Sequence, residues 1–451
     1  MLALGLLALI LSYEGPEDIG ASEDGFRHAP PAIHEGWDMR EQWDGVWRRF
    51  QDRNGRPQLQ GPLLQWSPEL QRSEYELAVI AAEQPMLLER DWNRRTRGAR
   101  LYIHSDDEFS FFNSLRIKER VRMGRAGALG LRFDRVELRE IHSSMFQLAF
   151  AFPNIAGSGA FIEIRPVARF EKQDLDVEVA VGWARPDVAR ISARVFSFDT
   201  FNNASDALAK QRDAEQEVRV LQRNAPIGTS LEFEMFALRN IRAELFLGAV
   251  MPSRSLLDYA DSWIVDFERT QSALLGGMWV EWALPRVPVW VGGSAQMIAT
   301  KQVNVDLQGQ TLAEIHEREL RARAYLLGDL GRGTRGHTTL ELSASYRDDE
   351  LPEHTSQYGS VTRDRSWIGT ARATWMPTRV FGFELTYIGL DREAEGVGDL
   401  APFLSATNHR LVSRFAFAFD PNVRITFGVG WDLDDRSNRY DQGGMTLSAR
   451  W

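Results

Sequence analysis

The sequence predicts an all-β fold: a transmembrane antiparallel up-and-down β-barrel of about 18 strands (16–18), preceded by a short, partly helical segment. Three observations carry this. Apolar and polar residues alternate strictly over repeated stretches of about ten residues. The connections between the stretches are alternately tight and long. Aromatic residues collect near the stretch ends, on the apolar parity.

Composition leaves room for this fold and removes others. With 451 residues, 43% hydrophobic and 26% charged, the chain is neither disordered nor collagen-like. It has no Cys, which excludes disulfides, thiolate metal sites, a cysteine nucleophile and a lipobox anchor. Mean hydropathy is -0.33, and no apolar run approaches the roughly 18 residues of a spanning helix. A helical membrane protein is thereby excluded. A membrane barrel is not, because its strands carry a polar residue at every second position and average out as hydrophilic. The net charge of -10 argues against nucleic-acid binding, which leaves a basic footprint.

Met1 to Ser12, MLALGLLALILS, has the length of a signal-peptide apolar core, although no Lys or Arg precedes it. Residues 1–21 are expected to be a signal-peptide-like segment ending at the small-residue site Ile19–Ala21. Residues 22–97 are expected to form a periplasmic, plug-like segment with helices. There Trp43, Trp47 and Phe50 recur at helical spacing among Arg40, Arg48 and Arg49. A second helix is expected over Pro68 to Trp92, with LAVIAA (Leu77 to Ala82) as its apolar face.

From about Ala99 the period changes from 3.6 to 2, and residues 98–451 are expected to be the barrel. Ile162, Ile164, Pro166 and Ala168 alternate with Glu163, Arg165 and Arg169. Leu320, Ala322, Ala324 and Leu326 alternate with Glu317, Glu319, Arg321, Arg323 and Tyr325. Such stretches begin near residues 99, 110, 128, 143, 159, 173, 188, 229, 241, 272, 287, 313, 337, 366, 380, 409, 422 and 443. Tight turns are expected at Arg239–Asn240, Pro285–Arg286, Pro377–Arg379 and Asp420–Pro421. Long polar connections are expected at 199–228, 251–271, 300–312, 348–365, 391–408 and 434–442. With an even strand number all the tight turns fall on one side, as the periplasmic turns of bacterial barrels do. Trp183, Trp282, Trp367, Trp375, Tyr387, Trp431 and Trp451 share the apolar parity, as two interfacial girdles require.

The chain ends in MTLSARW, with Met445, Leu447, Ala449 and Trp451 on one face. This resembles the terminal-strand signature of Gram-negative outer-membrane β-barrel proteins. The resemblance implies outer-membrane localisation, contact with outer-membrane lipid and reading of the last strand by the barrel-assembly machinery. In architecture, residues 98–451 resemble porins and the polysaccharide-exporting barrels of Gram-negative bacteria, including the alginate-export type. The export type implies an arginine-rich conduit.

Half of the strand residues must face a lumen. The basic candidates are Arg116, Lys118, Arg120, Arg122, Arg165, Arg169, Arg190, Arg194, Arg321, Arg323, Arg372, Arg410, Arg414 and Arg424. The acidic candidates are Glu163, Asp174, Asp176, Glu178, Glu232, Glu234, Glu281, Glu317, Glu319, Glu341 and Glu384. Burying so many charges in a dry core costs several kcal/mol per ion, which a water-filled or plug-filled channel avoids. The bland reading is a set of cross-strand Arg–Glu ladders that hold the wall together. The sharper one is a basic strip where first and last strands meet (Arg116 to Arg122 with Arg410, Arg414 and Arg424), separated from acidic strands at 174–178 and 232–234.

Catalytic signals are weak. No His falls in a metal-binding spacing, and neither a GxSxG nor a phosphate loop occurs, so no enzyme, metal or cofactor is expected. His142 with Ser143 and Ser144 is the best nucleophile–base neighbourhood, and it is expected in a short turn. The function that follows is an outer-membrane channel conducting or exporting a hydrophilic, anionic solute such as a polysaccharide. Export would call on a periplasmic partner, for which the helix at Trp43 and Trp47 is the candidate. The alternatives are a passive porin for small solutes and a non-transporting adhesin or scaffold.

Overall fold

The computed structural model describes the strands between residues 98 and 449 and, of the connections, residues 155–159, 188, 284, 285, 287, 307–310, 330, 377, 378, 380, 433 and 434. The segments expected at 1–21 and 22–97, and Trp451, lie outside the described residues.

In chain order the strands are β1 (Gly98–Asp106), β2 (Phe111–Met123), β3 (Gly127–Leu138), β4 (Ile141–Phe152), β5 (Ala160–Arg169), β6 (Asp174–Arg185), β7 (Ala189–Ser197), β8 (Val218–Asn224), β9 (Ile227–Leu238) and β10 (Ile241–Tyr259). They continue as β11 (Phe267–Ala283), β12 (Val289–Asp306), β13 (Thr311–Asp329), β14 (His337–Ser356), β15 (Gly359–Met376), β16 (Phe381–Gly398), β17 (Ala406–Asp420), β18 (Val423–Asp432) and β19 (Tyr440–Ala449). All belong to one antiparallel sheet that closes where β1 pairs with both β19 and β2. β8 and β9 both pair with β10, at its upper and lower parts, so they form a single broken stave. Nineteen segments thus make an 18-strand barrel.

The observed starts follow the alternation, but the strands outrun it. β10 to β16 have 17–20 residues, and they take up much of what reads as long loop at 251–271, 300–312, 348–365 and 391–408. The stretch expected as a loop at 199–228 contains β8. Above the bilayer both faces of a sheet meet water, so pairing continues where the period-2 pattern is no longer required. Pairing is also broken inside the wall. Pro166 has no N–H, and the β4–β5 ladder steps from Gln147↔Val167 to Phe150↔Ile164 across it.

The outer face is apolar. Leu231, Leu247, Leu274, Met278 and Leu342 are all more than half exposed on this parity. Aromatics bound the band: Trp183, Trp282, Trp375 and Phe419 at the end of the tight turns, and Trp367, tilted against Tyr346 with ring centroids 4.5 Å apart, at the other. Trp375 and Trp367 are eight residues apart on β15. That is about 27 Å along a strand, and on the order of 20 Å in height at the usual tilt.

Charge returns to the outer face directly above the upper girdle. Asp348 accepts two hydrogen bonds from Arg363, at 2.8 and 2.7 Å, and this pairing holds its carboxyl below the usual range. On the neighbouring hairpin Glu314 takes hydrogen bonds from Lys301 and His316, which likewise hold it low. A depressed carboxylate stabilises the rim above its unfolded pKa of about 3.9, and the contribution disappears as pH falls through the lower folded value. Acidification below about pH 4 should therefore loosen the β14–β15 extension. Limited proteolysis of the folded barrel should show faster cleavage between 351 and 358 at low pH, and Asp348→Asn should show the fast rate already at neutral pH.

Candidate functional site: the luminal wall

The parity opposite the apolar band carries the charge. Glu178, Arg194, Glu319, Glu341, Arg372 and Glu384 lie on it, each below 9% exposure. A closed sheet is concave on this side, so side chains that splay apart outside are pressed together inside. Desolvated in this way, each charge requires a partner on the next strand.

One ladder crosses β5, β6, β7 and β9. Arg165 bridges Glu163 at 2.7 Å and Glu178 at 3.1 Å. Arg194 bridges Glu178 at 2.6 Å and Glu232 at 2.8 Å, and the Ser192 hydroxyl donates to Glu232. Arg190 lies over the Phe161 ring. A second ladder crosses β13 to β17. Glu341 meets Arg323 at 3.3 Å and Arg372 at 3.0 Å. Glu384, wholly buried, meets Arg414 at 2.7 Å and Arg372 at 3.6 Å, with the Thr374 and Thr386 hydroxyls donating to it. Three guanidinium groups thus alternate with two carboxylates along this ladder, each carboxylate held between two arginines.

Nearer the outer mouth, Arg392 grips Asp364, while Asn408 joins Asp432 to Arg410. Glu319 is held by Arg321 and Arg347, and Arg347 also reaches Asp349. Arg321 keeps half of its side chain exposed toward the lumen.

Acid and base are therefore interleaved on adjacent strands. The acidic region expected around 174–178 and 232–234 contains Arg165 and Arg194 as direct partners of its glutamates, because isolated like charges on a concave wall would repel across strands about 4.8 Å apart. At the closure, backbone register places Arg424, Ser448, Arg100 and Arg116 in one row over β18, β19, β1 and β2. Arg410 and Arg414 join mixed clusters instead. Lys118, Arg120 and Arg122 pair in backbone register with Arg132, Gly130 and Ala128, and Arg169 with Asp174. Asp176 is paired with Val167, Glu234 with Arg190, and Glu317 with Thr300. Met445, Leu447 and Ala449 run between β1 and β18 as the last paired strand. His142, Ser143 and Ser144 lie within β4 and not in a turn, paired with β3.

Sequence reasoning set Tyr325 on the inward parity but missed what it and the other luminal aromatics touch. Tyr325 lies across Gly292 of the next strand and donates a 2.5 Å hydrogen bond to Glu281 one strand further on. A Cβ on Gly292 would overlap the tyrosine ring, and one on Gly182 would overlap Phe161 in the same way. The glycine inside a strand is the signal that finds such a site, since it marks a close approach. Trp279, on the parity opposite Trp282, is 2% exposed.

Charge and hydroxyls line the inside, and an aromatic-bounded apolar band lines the outside. The described residues form a closed barrel with the two faces of a transmembrane β-barrel. No protein-family model matches it, and no curated protein does. Among solved structures, the barrel is similar to a bacterial polysaccharide outer membrane secretin, with 9% identity over 79% of this chain and 99% of that one and a TM-score of 0.36. It is also similar to Pseudomonas aeruginosa OccK2, with 12% identity over 78% and 95% of the two chains and a TM-score of 0.40. A third similar structure is Acinetobacter baumannii OccAB3, with 7% identity over 78% and 98% and a TM-score of 0.41.

Two substitutions test the wall. Gly292→Ala should lower stability by about 1–3 kcal/mol through overpacking, read as a lower unfolding temperature by gel heat-modifiability. Adding Tyr325→Leu should recover part of that loss. Glu384→Gln should cost about 3–5 kcal/mol, because it breaks a fully buried ion cluster, and the urea midpoint should fall accordingly.

Proposed function

We propose that this barrel is a non-enzymatic channel that conducts or exports a hydrophilic, anionic solute, a polysaccharide being the class that suits the wall best. The carrying observation is the run of three guanidinium groups, Arg323, Arg372 and Arg414, alternating with Glu341 and Glu384 on the luminal parity. A planar guanidinium offers paired N–H donors to a carboxylate or phosphate. Ser343, Thr370, Thr374 and Thr386 surround the run with buried hydroxyls, so the polar lining is continuous across β14 to β16. Among the described residues no group of three His, Asp or Glu is placed to hold a metal ion, and the reading needs none. Insertion would rest on lipid contact at the outer band and on the barrel-assembly machinery reading the last strand. A periplasmic partner would engage the N-terminal segment.

The reversal potential of single-channel openings in a tenfold salt gradient tests this. The expected result is anion preference, reduced at least twofold in permeability ratio by Arg372→Gln and raised by Glu384→Gln. Cation preference in the unaltered protein would overturn the anionic reading, and a general porin would show little response to either change.

A further inference from the structure

The luminal arginines are for the most part packed down into the wall. Arg194, Arg372, Arg392 and Arg410 are between 4% and 9% exposed. Arg321 on β13 and Arg347 on β14 depart from this, with 51% and 34% of their side chains open to solvent. Both lie on the luminal parity, and backbone register sets them directly opposite each other. Arg347 is opposite Ser366 in turn, the residue before Trp367, so the pair stands close to the level of the upper girdle. There the lumen opens toward its outer mouth.

Two like charges directly opposite on neighbouring strands are destabilising by themselves. Here the compensating acids lie behind the arginines. Glu319, 1% exposed, makes an ion pair with Arg321 and reaches Arg347 at 3.8 Å. Asp349, 4% exposed, makes a second ion pair with Arg347. Glu319 and Asp349 are themselves opposite in register, two residues nearer the mouth on each strand. The carboxylates are therefore the buried layer and the guanidinium groups the wetted one. A solute in this part of the lumen meets arginine first.

An ion pair that serves only to fasten strands is buried together with its acids, as Arg372 is between Glu341 and Glu384. The exposure of Arg321 and Arg347 needs another account. Directly opposed residues have their Cβ atoms about 5 Å apart, so two planar forks can close on a single carboxylate, sulfate or phosphate. Gln296, opposite Arg321 on β12, adds a partly exposed amide at the edge of the pair.

We infer that Arg321 and Arg347 form a two-pronged binding site for one anionic group of a solute in the outer half of the lumen. The inference rests on the channel reading above, and a binding measurement that needs no conductance separates the two.

The folded, heat-modifiable full-length barrel is titrated calorimetrically with trigalacturonate, a uronic-acid trimer, and separately with inorganic triphosphate. Saturable binding of at least one probe is expected. Arg321→Gln and Arg347→Gln should each raise its Kd by about fivefold or more, and Arg347→Lys, which keeps the charge without the fork, should recover only part of the loss. The urea midpoint of Arg321→Gln should hold or rise, because a like-charge pair is relieved. Binding of triphosphate alone would assign the site to phosphate groups, and binding of both would assign it to anionic groups in general. The inference is overturned if neither probe binds, or if the double Gln variant binds as the unaltered protein does while its urea midpoint falls. Arginine-dependent binding in a barrel that passes no current would sustain this site and count against the channel. An anion-selective channel indifferent to both substitutions would do the reverse.

Discussion

Everything in this barrel depends on closing the sheet. Inside a bilayer no water is present to satisfy a free N–H or C=O, and each one left open costs several kcal/mol. The pairing of β1 with β19, eight residue pairs from Ala99↔Ala449 to Asp106↔Gln442, removes the last open edge. Closure then imposes two unlike surfaces on one chain. The convex side must dissolve in lipid, and the concave side must find partners for whatever polar groups the alternation sends inward.

The ion ladders answer the second demand. Burying a guanidinium beside a carboxylate gains little when both are taken from water, yet an unpartnered one is expensive. Sharing resolves this. Glu178 is held between Arg165 and Arg194, and Arg372 between Glu341 and Glu384. Each shared group binds two strands, so the wall is fastened sideways by side chains as well as along its backbone. The aromatic–glycine pairs Tyr325–Gly292 and Phe161–Gly182 add close packing beside the charges of Glu281 and Arg190.

Strand starts were legible because the bilayer enforces period 2. The onsets near 241 and 337 coincide with Ile241 and His337, where the outward position first meets lipid. Strand ends were not legible. At Asp348, Glu350 and Arg363 both faces are polar and the pattern vanishes, although the hydrogen-bonded ladder goes on. The short segment Val218–Asn224 was hidden for the same reason. Within the lumen, the residue types were visible but their pairing was not. Arg194 and Glu232 are 38 positions apart, and only the register of β7 on β9 brings them together.

The paired wall is not level at its outer end. β14 runs for 20 residues and β7 for 9, and the tall strands β10 to β16 are neighbours, so among the described residues the parapet rises on one flank. At about 3.3 Å per residue the difference is on the order of 25 Å of height after tilt. The mouth therefore opens obliquely, like a cut reed. A charged screen thus stands on one side of the mouth and a low rim on the other, which gives the opening a direction that a level pore would not have.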